Sequence, residues 1–374
     1  MNITRREFGV AALGIGGALA SGAEARAADA AAALAAMKGH VFSTGPHGEQ
    51  PAPASAVVLS PAELSRIKAM KPTAAIVMHY GGNDWSRAQI AGLKHQFAIM
   101  GITVIAVTDA GFKADRQVSD IETVLARHPS IIVSIPVDPV ATAAAYQAAA
   151  KQGVKLVFMD NVPNGMSAGH GYVSVVSADN YGNGVAAALL LVEALKAKGT
   201  VGLVFHAANF FVTHQRYVAV KNTLTKYPGV KVVEEQGIAG PDFSGEAERV
   251  ASAMLTAHPT LDGIWAVWDV PAEGVVSAAR TAGKTDLLIT NCDLGENVAI
   301  DMAQKQFIVG IGAQRPFDQG VTEAKLAGYG LLGKPAPPYV ALPALPVTRS
   351  NLLTAWQTVY HGPAPGLVQR AMRS

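Results

Sequence analysis

The feature that most restricts what this chain can fold into is a repeat of its own middle. Ala75-Ile76-Val77-Met78-His79 is echoed by Gly202-Leu203-Val204-Phe205-His206, and the pieces Ala91-Gly92-Leu93-Lys94 and Ala219-Val220-Lys221 follow at matching distances. His128-Pro129 recurs as His258-Pro259. Each leads into an apolar run that closes with Asp138-Pro139 in one copy and Asp269-Val270-Pro271 in the other. An Ala-rich stretch follows in both, then a run ending at Met159-Asp160-Asn161 or Asn291-Cys292-Asp293. The spacing drifts slightly along the copies, as loop insertions produce. Within each copy short β-branched runs alternate with helical stretches, the signature of βαβ units and a parallel sheet. The expected fold is therefore α/β, with two similar Rossmann-like lobes and a cleft between them. A length of 374 residues, more than one core usually serves, agrees with two lobes.

Composition excludes several alternatives. Half the residues are hydrophobic and 16% are charged, so the chain is not disordered. Few aromatic residues (6%) and 37 glycines suit Ala/Gly-rich helices lying close on strands. The formal charge is +2 with no run of Lys or Arg, so nothing calls for nucleic acid. The lone Cys292 excludes a disulfide framework and a multi-cysteine metal cluster, and a small buried residue is the role expected of it. HExxH and GxxxxGK[ST] patterns are absent. Gly182-Asn183-Gly184-Val185-Ala186-Ala187 matches G-x-G-x-x-A before an Ala/Leu helix, and Gly14 to Gly17 is a partial match. The strand after the first ends at Phe205-His206, where an acidic residue for a ribose is expected, so no cofactor is expected.

The N-terminus reads as an address. Thr4-Arg5-Arg6-Glu7-Phe8 is a twin-arginine pattern, followed by an apolar stretch from Gly9 to Ala20 and a small-x-small site at Ala25-Arg26-Ala27. Residues 1–27 are expected to be an export signal cleaved near Ala27, which places the mature protein in the periplasm. Its removal takes Lys+Arg from 30 to 27 and Asp+Glu from 28 to 26, leaving a charge of +1. Residues 28–59, first nearly all Ala and then rich in Pro, Gly and Ser, read as a partly ordered leader wrapping or trailing from the folded body. Ser60-Pro61-Ala62-Glu63 is a capping box that opens a helix with Leu64, Ile67 and Met70 on its apolar face.

In parallel sheets ligands bind beyond the carboxyl ends of the strands. That rule singles out His79 to Ser86, Asp109 to Phe112, Asp138, Asp160-Asn161, His206 to Arg216, Asp242-Phe243, Trp268-Asp269 and Asp293. The polar members are interleaved with Trp85, Phe210, Phe211, Phe243 and Trp268. Rings flanking Asp, Asn and Arg suit a sugar or polyol, whose C–H faces pack on rings while each hydroxyl needs a donor and an acceptor. Asp138 and Asp269 are also well placed as helix N-caps. His79 and His206 are either core histidines or ligand contacts. Trp265 belongs in the core, and Trp268 at the strand end in the cleft. Asp160, Asp293 and Arg216 follow apolar runs, where a charge is costly unless it meets a ligand or an opposite charge.

From about Pro72 to Pro363 the chain resembles the type I periplasmic sugar-binding proteins, close to the ribose-binding group. The marks, in order, are the Gly82 to Ser86 loop, Ser134-Ile135-Pro136-Val137-Asp138, Phe158-Met159-Asp160-Asn161, Ala178-Asp179-Asn180 and Arg216. They continue with Trp268-Asp269, Ala272 and Gly274, Cys292-Asp293, Ala313-Gln314-Arg315-Pro316 and the closing Val347 to Asn351. Proteins of this kind are substrate receptors of ATP-binding-cassette importers, which implies a membrane permease as partner and a monomer. The resemblance implies ligand contacts at His79, Asn83, Trp85, Ser86, Asp160, Asn161, Arg216, Trp268, Asp293 and Gln314. It also implies a three-stranded hinge with crossings near Ser177, Gln314 and Leu345. The lobes would then be 72–177 plus 315–344 and 178–314 plus 345–362, preceded by a leader and short helix over 28–71 and followed by a tail over 363–374.

Departures from the resemblance carry information. Where ribose binders have Asp-Arg this chain has Asp160-Asn161; where they have Asn it has Trp268 and Ile135, and where an aromatic precedes the last Asp it has Cys292. Fewer directional donors argue against ribose itself, while Asp160, Arg216, Asp293 and Gln314 still favour a polyhydroxylated small molecule. DNA-binding repressors share the two lobes but begin with a helix-turn-helix, where this chain has its export signal. Two alternatives remain at this point: a receptor feeding a sensor kinase, and a cofactor enzyme exported by the twin-arginine route.

Overall fold

The computed structural model describes residues 24–208 and 210–373. The chain enters as α1 (residues 24–36), then adds the two-residue strand β1 (Ala52–Pro53) and α2 (Pro61–Met70). The first repeat follows as β2 (Thr73–Met78), α3 (Asp84–Met100), β3 (Thr103–Asp109), α4 (Ala114–Leu125), β4 (Ile131–Ser134), α5 (Ala143–Lys151) and β5 (Lys155–Met159). A small ribbon, β6 (Ser167–Ala168) with β7 (Gly171–Tyr172), precedes β8 (Ser174–Ala178). The second repeat runs α6 (Asn180–Ala194), β9 (Gly199–His206), α7 (Phe211–Leu224), β10 (Val230–Ile238), α8 (Phe243–Ala257), β11 (Gly263–Ala266), α9 (Asp269–Thr281), β12 (Leu288–Cys292), α10 (Glu296–Ala303) and β13 (Ile308–Ala313). The chain closes with α11 (Pro316–Leu332), β14 (Tyr339–Leu342), β15 (Leu345–Val347), α12 (Leu352–Tyr360) and α13 (Gly366–Arg373).

The two sheets show the duplication directly. One has the order β1-β14-β8-β5-β4-β2-β3 and the other β10-β9-β11-β12-β13-β15. Within them β3-β2-β4-β5-β8 corresponds to β10-β9-β11-β12-β13, the same doubly wound order in each lobe. Every pairing is parallel except that of β13 with β15. Helices cover both faces of such a sheet, so its central strands are apolar without alternation. β4 and β11 are buried at every residue, and Trp265 has no exposure at all. Each fully buried Ile, Val or Phe side chain contributes about 1.5–3 kcal/mol of transfer free energy.

Small residues set how closely the layers lie. A Cβ on Gly92 of α3 would sit 2.1 Å from the Phe317 carbonyl oxygen, and one on Gly320 of α11 would sit 2.3 Å from that of Gln89. The two helices therefore touch backbone to backbone, and α11 is held on the first sheet although it follows the second in sequence. The chain passes between the sheets at Asp179, at Gln314-Arg315 and at Pro343-Ala344.

Both ends differ from their expected character. Residues 1–23, with the twin-arginine pattern and the partial Gly14 to Gly17 match, lie outside the described residues. Residues 24–27, the end of the expected signal, form the first turn of α1. The alanine run is helical and docks on the second lobe, where Ala30 and Met37 are buried. Ser43 then reaches the N-terminus of α6: its backbone N–H and hydroxyl donate to Asp179 Oδ1 at 2.9 and 2.8 Å, and its Oγ accepts from Tyr181. β1 joins the first sheet beside β14, so of the two expected arrangements the leader wraps the body, bridging both lobes, and does not trail. The capping box at Ser60 and Glu63 forms, but only Ile67 of the expected apolar trio is fully buried and Met70 is 48% exposed. The expected tail is α13, packed on the second lobe through Val368 and Ala371.

The G-x-G-x-x-A stretch lies inside α6. Asp179 caps that helix, accepting from Gly182 N–H at 2.9 Å, and a Cβ on Gly184 would sit 2.4 Å from the Arg216 carbonyl oxygen. Gly182 leaves room for the Asp179 cap, and Gly184 lets α6 lie close on α7.

Candidate functional site

The carboxyl ends of both sheets converge on one cavity enclosing about 510 Å³, its opening to solvent included. From the first lobe it is lined by His79 and Tyr80 after β2, Asn83 and Trp85 at the start of α3, Phe112 after β3, Ile135 after β4 and Asp160 after β5. The second lobe contributes His206 at the end of β9, Phe210, and Val212, Thr213 and Arg216 from the first turns of α7. Trp268, Asp293 and Gln314 follow β11, β12 and β13.

Asp160 and Asp293 occupy equivalent places in the two repeats. Each follows its strand with left-handed backbone, φ 55° and 67°, and each donates its N–H to the next strand, Asp160 to Val176 and Asp293 to Gly312. Asp tolerates this conformation better than most residues, and here it turns both carboxylates toward one point. Arg216, 2% exposed, meets Asp293 in a two-pronged ion pair at 2.9 and 3.2 Å. Its Nε donates to Asn180 at 3.1 Å, and Gln314 donates to Asp293 at 2.8 Å. Burial opposes the Arg216 charge, but Asp293 outweighs it and the guanidinium lies above its ordinary range. Asp160 accepts from Ser177 at 2.5 Å. Its burial lifts the carboxyl to about 6, against the pull of Ser177 and Arg216.

Rings from both lobes close the rest. His79 stacks on Phe210 across the cleft at 5.6 Å and 10°, and Phe112 meets Phe210 at 6.1 Å and Phe243 at 5.4 Å. Phe243 in turn packs edgewise on Trp268 at 4.9 Å. The lobes also join where the Asp84 carboxylate accepts the Glu296 N–H at the start of α10, 2.7 Å away. Burial lowers the His79 imidazole to about 3, helped by His206, and lowers His206 to about 4. Both rings are therefore neutral at neutral pH. Thr213 donates to the Phe210 carbonyl, so His206 Nδ1, 3.1 Å from the Thr213 hydroxyl, is the donor in that pair and Nε2 is left as an acceptor.

Of the ten residues the resemblance implied, His79, Asn83, Trp85, Asp160, Arg216, Trp268, Asp293 and Gln314 line the cavity. Ser86 and Asn161 do not. Ser86 donates its hydroxyl to Asn83 O and its N–H to Asn83 Oδ1, which caps α3. Asn161 turns its amide to the Pro136 carbonyl at 3.1 Å. Asp138 is exposed and accepts from Val140 and Ala141 in the turn before α5. Asp242 caps α8. Asp269 is the first residue of α9 rather than its cap; it accepts from Val270, and its burial raises its carboxyl well above the usual range. The Asp160–Asp293–Arg216 question resolves as an ion pair of two, with Asp160 held by Ser177. Cys292 is fully buried and its thiol is pushed up to about 12.

Two α/β lobes that close on a cavity of rings, carboxylates and one arginine define a receptor for a small polar molecule. A family model described as a periplasmic binding protein domain matches residues 74–335, and the chain belongs to that family. The D-apiose import binding protein of Actinobacillus succinogenes is 24% identical over 266 residues, 71% of this chain and 84% of that protein. An ABC sugar transporter subunit from Rhodobacter sphaeroides 2.4.1 superimposes with a TM-score of 0.65 at 26% identity, over 74% of this chain and 98% of that one. A 77-residue stretch is 46% identical to the ribose operon repressor of Halalkalibacterium halodurans, covering 18% of this chain and 23% of the repressor. The family places the protein in the periplasm, among binding proteins.

Proposed function

We propose that this protein captures a monosaccharide or polyol between its lobes and delivers it to the permease of an ATP-binding-cassette importer. The observation that carries this reading is the pair Asp160 and Asp293, set at equivalent strand ends of two lobes and facing one cavity with Arg216. A hydroxylated ring satisfies such groups while its C–H faces pack on Trp85, Phe210 and Trp268. The ligand contacts are His79, Asn83, Trp85, Asp160, Arg216, Trp268, Asp293 and Gln314, with Ser86 and Asn161 as supports behind them. Rotation of lobes 72–177 plus 315–344 and 178–314 plus 345–362 about the three crossings admits and traps the ligand. Export by the twin-arginine route with cleavage near Ala27, and action as a monomer, complete the proposal. Names of relatives such as the D-apiose import binding protein support the substrate class.

Thermal melting of residues 28–374 against pentoses, hexoses, polyols and nucleotides tests it. A ligand at about a hundred times its Kd adds roughly 2.7 kcal/mol, a shift of several degrees. A shift with a sugar or polyol is the expected result; shifts confined to nucleotides overturn the reading.

A further inference from the structure

Asp160 and Arg216 stand on different lobes, yet an unbroken line of hydrogen bonds joins them through the first crossing. Arg216 Nε donates to Asn180 Oδ1 at 3.1 Å, Asn180 Nδ2 donates to Ser177 Oγ at 3.0 Å, and Ser177 donates its hydroxyl to Asp160 Oδ1 at 2.5 Å. All four residues are buried, Ser177 and Asn180 completely. Ser177 lies near the end of β8 on the first lobe and Asn180 opens α6 on the second, with the crossing at Asp179 between them. Asp179 takes no part, because its carboxylate accepts from Gly182, Phe42 and Ser43.

The direction of this line is fixed at one end. A guanidinium has donors only, so the Asn180 side-chain oxygen must face Arg216 and its NH2 must face Ser177. The Ser177 oxygen then accepts, and its single proton is left for Asp160. A donor aimed at a carboxylate favours the charged form. Burial raises the Asp160 carboxyl to about 6, and Ser177 is the strongest influence against a further rise, with Arg216 and Asn180 behind it. The other titratable groups about Asp160 are Asp293, ion-paired with Arg216, Glu323 of α11, which accepts from Gln89, and Tyr339 of β14. His79, Tyr80 and His206 line the same cavity.

Resting on the reading that this cavity takes a sugar or polyol, we infer that Ser177 and Asn180 are positioning residues for the ligand site, holding Asp160 of one lobe and Arg216 of the other in register across the hinge. Neither residue lines the cavity; both act through the groups they bond. A lobe rotation displaces atoms least at its axis, and the line runs through the crossing itself, so the two charged groups keep their relation as the lobes open and close.

Carbon-13 NMR of the unliganded protein labelled at its aspartate carboxyls tests this, with the Asp160 signal assigned by its absence from Asp160→Asn. The wild-type midpoint is expected at about 6. Ser177→Ala should raise it by at least about one pH unit, and Ser177→Thr, which keeps the hydroxyl, should leave it in place. Asn180→Ala frees the Ser177 proton to turn elsewhere and should raise the midpoint by less. A midpoint unmoved in Ser177→Ala, or moved as far in Ser177→Thr, overturns the inference. Should Asn180→Ala fail to fold, the two Ser177 variants decide. Calorimetry at pH 7.5 with D-allose, D-arabinose and allitol gives a second reading. A probe that binds the wild type should bind Ser177→Ala and Asn180→Ala at least about fivefold more weakly, and Ser177→Thr as tightly as the wild type. Equal affinity throughout overturns the positioning role and leaves the receptor standing. If none of the three probes binds the wild type, the failure belongs to the sugar reading, and the carboxyl titration, which needs no ligand, still decides the positioning role.

Discussion

Asp160→Asn should make the unliganded protein more stable at pH 7.5 while weakening its grip on ligand. Asp160 is 2% exposed, and its carboxyl is lifted from 3.8 to about 6, chiefly by burial. A folded-state value above the unfolded one contributes stability that is full below pH 3.8 and is lost as pH rises through about 6. Above that pH the wild type therefore holds an ionised carboxylate at a cost of about 3 kcal/mol, from roughly two units at 1.36 kcal/mol each. Asparagine has the same shape, tolerates the left-handed backbone at φ 55°, and its side-chain oxygen still accepts from Ser177. Urea denaturation at pH 4, 5, 6 and 7.5 reads the effect. The variant should exceed the wild type by up to about 3 kcal/mol at pH 7.5, and the gap should close toward pH 4. His79 and His206 titrate in an overlapping window with opposite sign, since their lowered values remove stability as pH falls below 6.5. Both proteins share them, so the difference isolates Asp160. A variant less stable at pH 7.5, or a gap independent of pH, refutes the reasoning.

Other expectations follow from the same geometry. Arg216→Ala should weaken ligand binding by tenfold or more by calorimetry. Because it leaves Asp293 buried without its partner, it should also lower stability by about 3–5 kcal/mol, with the far-ultraviolet circular dichroism of the folded protein unchanged. Ser43→Ala removes hydroxyl bonds to Asp179, Gln215 and Tyr181. It should lower stability by about 1–2 kcal/mol without changing affinity, because none of these groups lines the cavity. Cys292, fully buried with its thiol pushed up to about 12, should resist thiol reagents at pH 8 in the native state and react once unfolded.

The repeat made the fold legible because a duplicated βαβ pattern leaves few topologies open, and the strand-end rule then pointed to Asp160, Arg216 and Asp293. Spacing identifies strand ends but not which way a side chain turns there. Hence Ser86 and Asn161 were expected in the cavity and instead bond to backbone behind it. Tyr80, Phe112, Val212 and Thr213 lay within the strand-end stretches without being named as contacts, and Ile135 lay outside them; all five line the cavity. Their places depend on the opposite lobe, as the contact of Phe112 with Phe210 and Phe243 shows, and no local pattern records that. The leader's path was left open for a different reason. An alanine run has no amphipathic pattern, so the docking of Ala30 and Met37 and the Ser43 bonds to Asp179 had no sequence signal. The terminal helix α13 was hidden by shortness; two buried residues, Val368 and Ala371, fix it in place.

The crystal structure of a complex with whichever sugar or polyol shifts the melting point tests the central claim most directly. The account predicts a single ligand in the inter-lobe cavity, with ligand oxygens within hydrogen-bond distance of Asp160 and Arg216 and a C–H face on Trp85, Phe210 or Trp268. A ligand bound elsewhere, or in the cavity but out of reach of both Asp160 and Arg216, contradicts it.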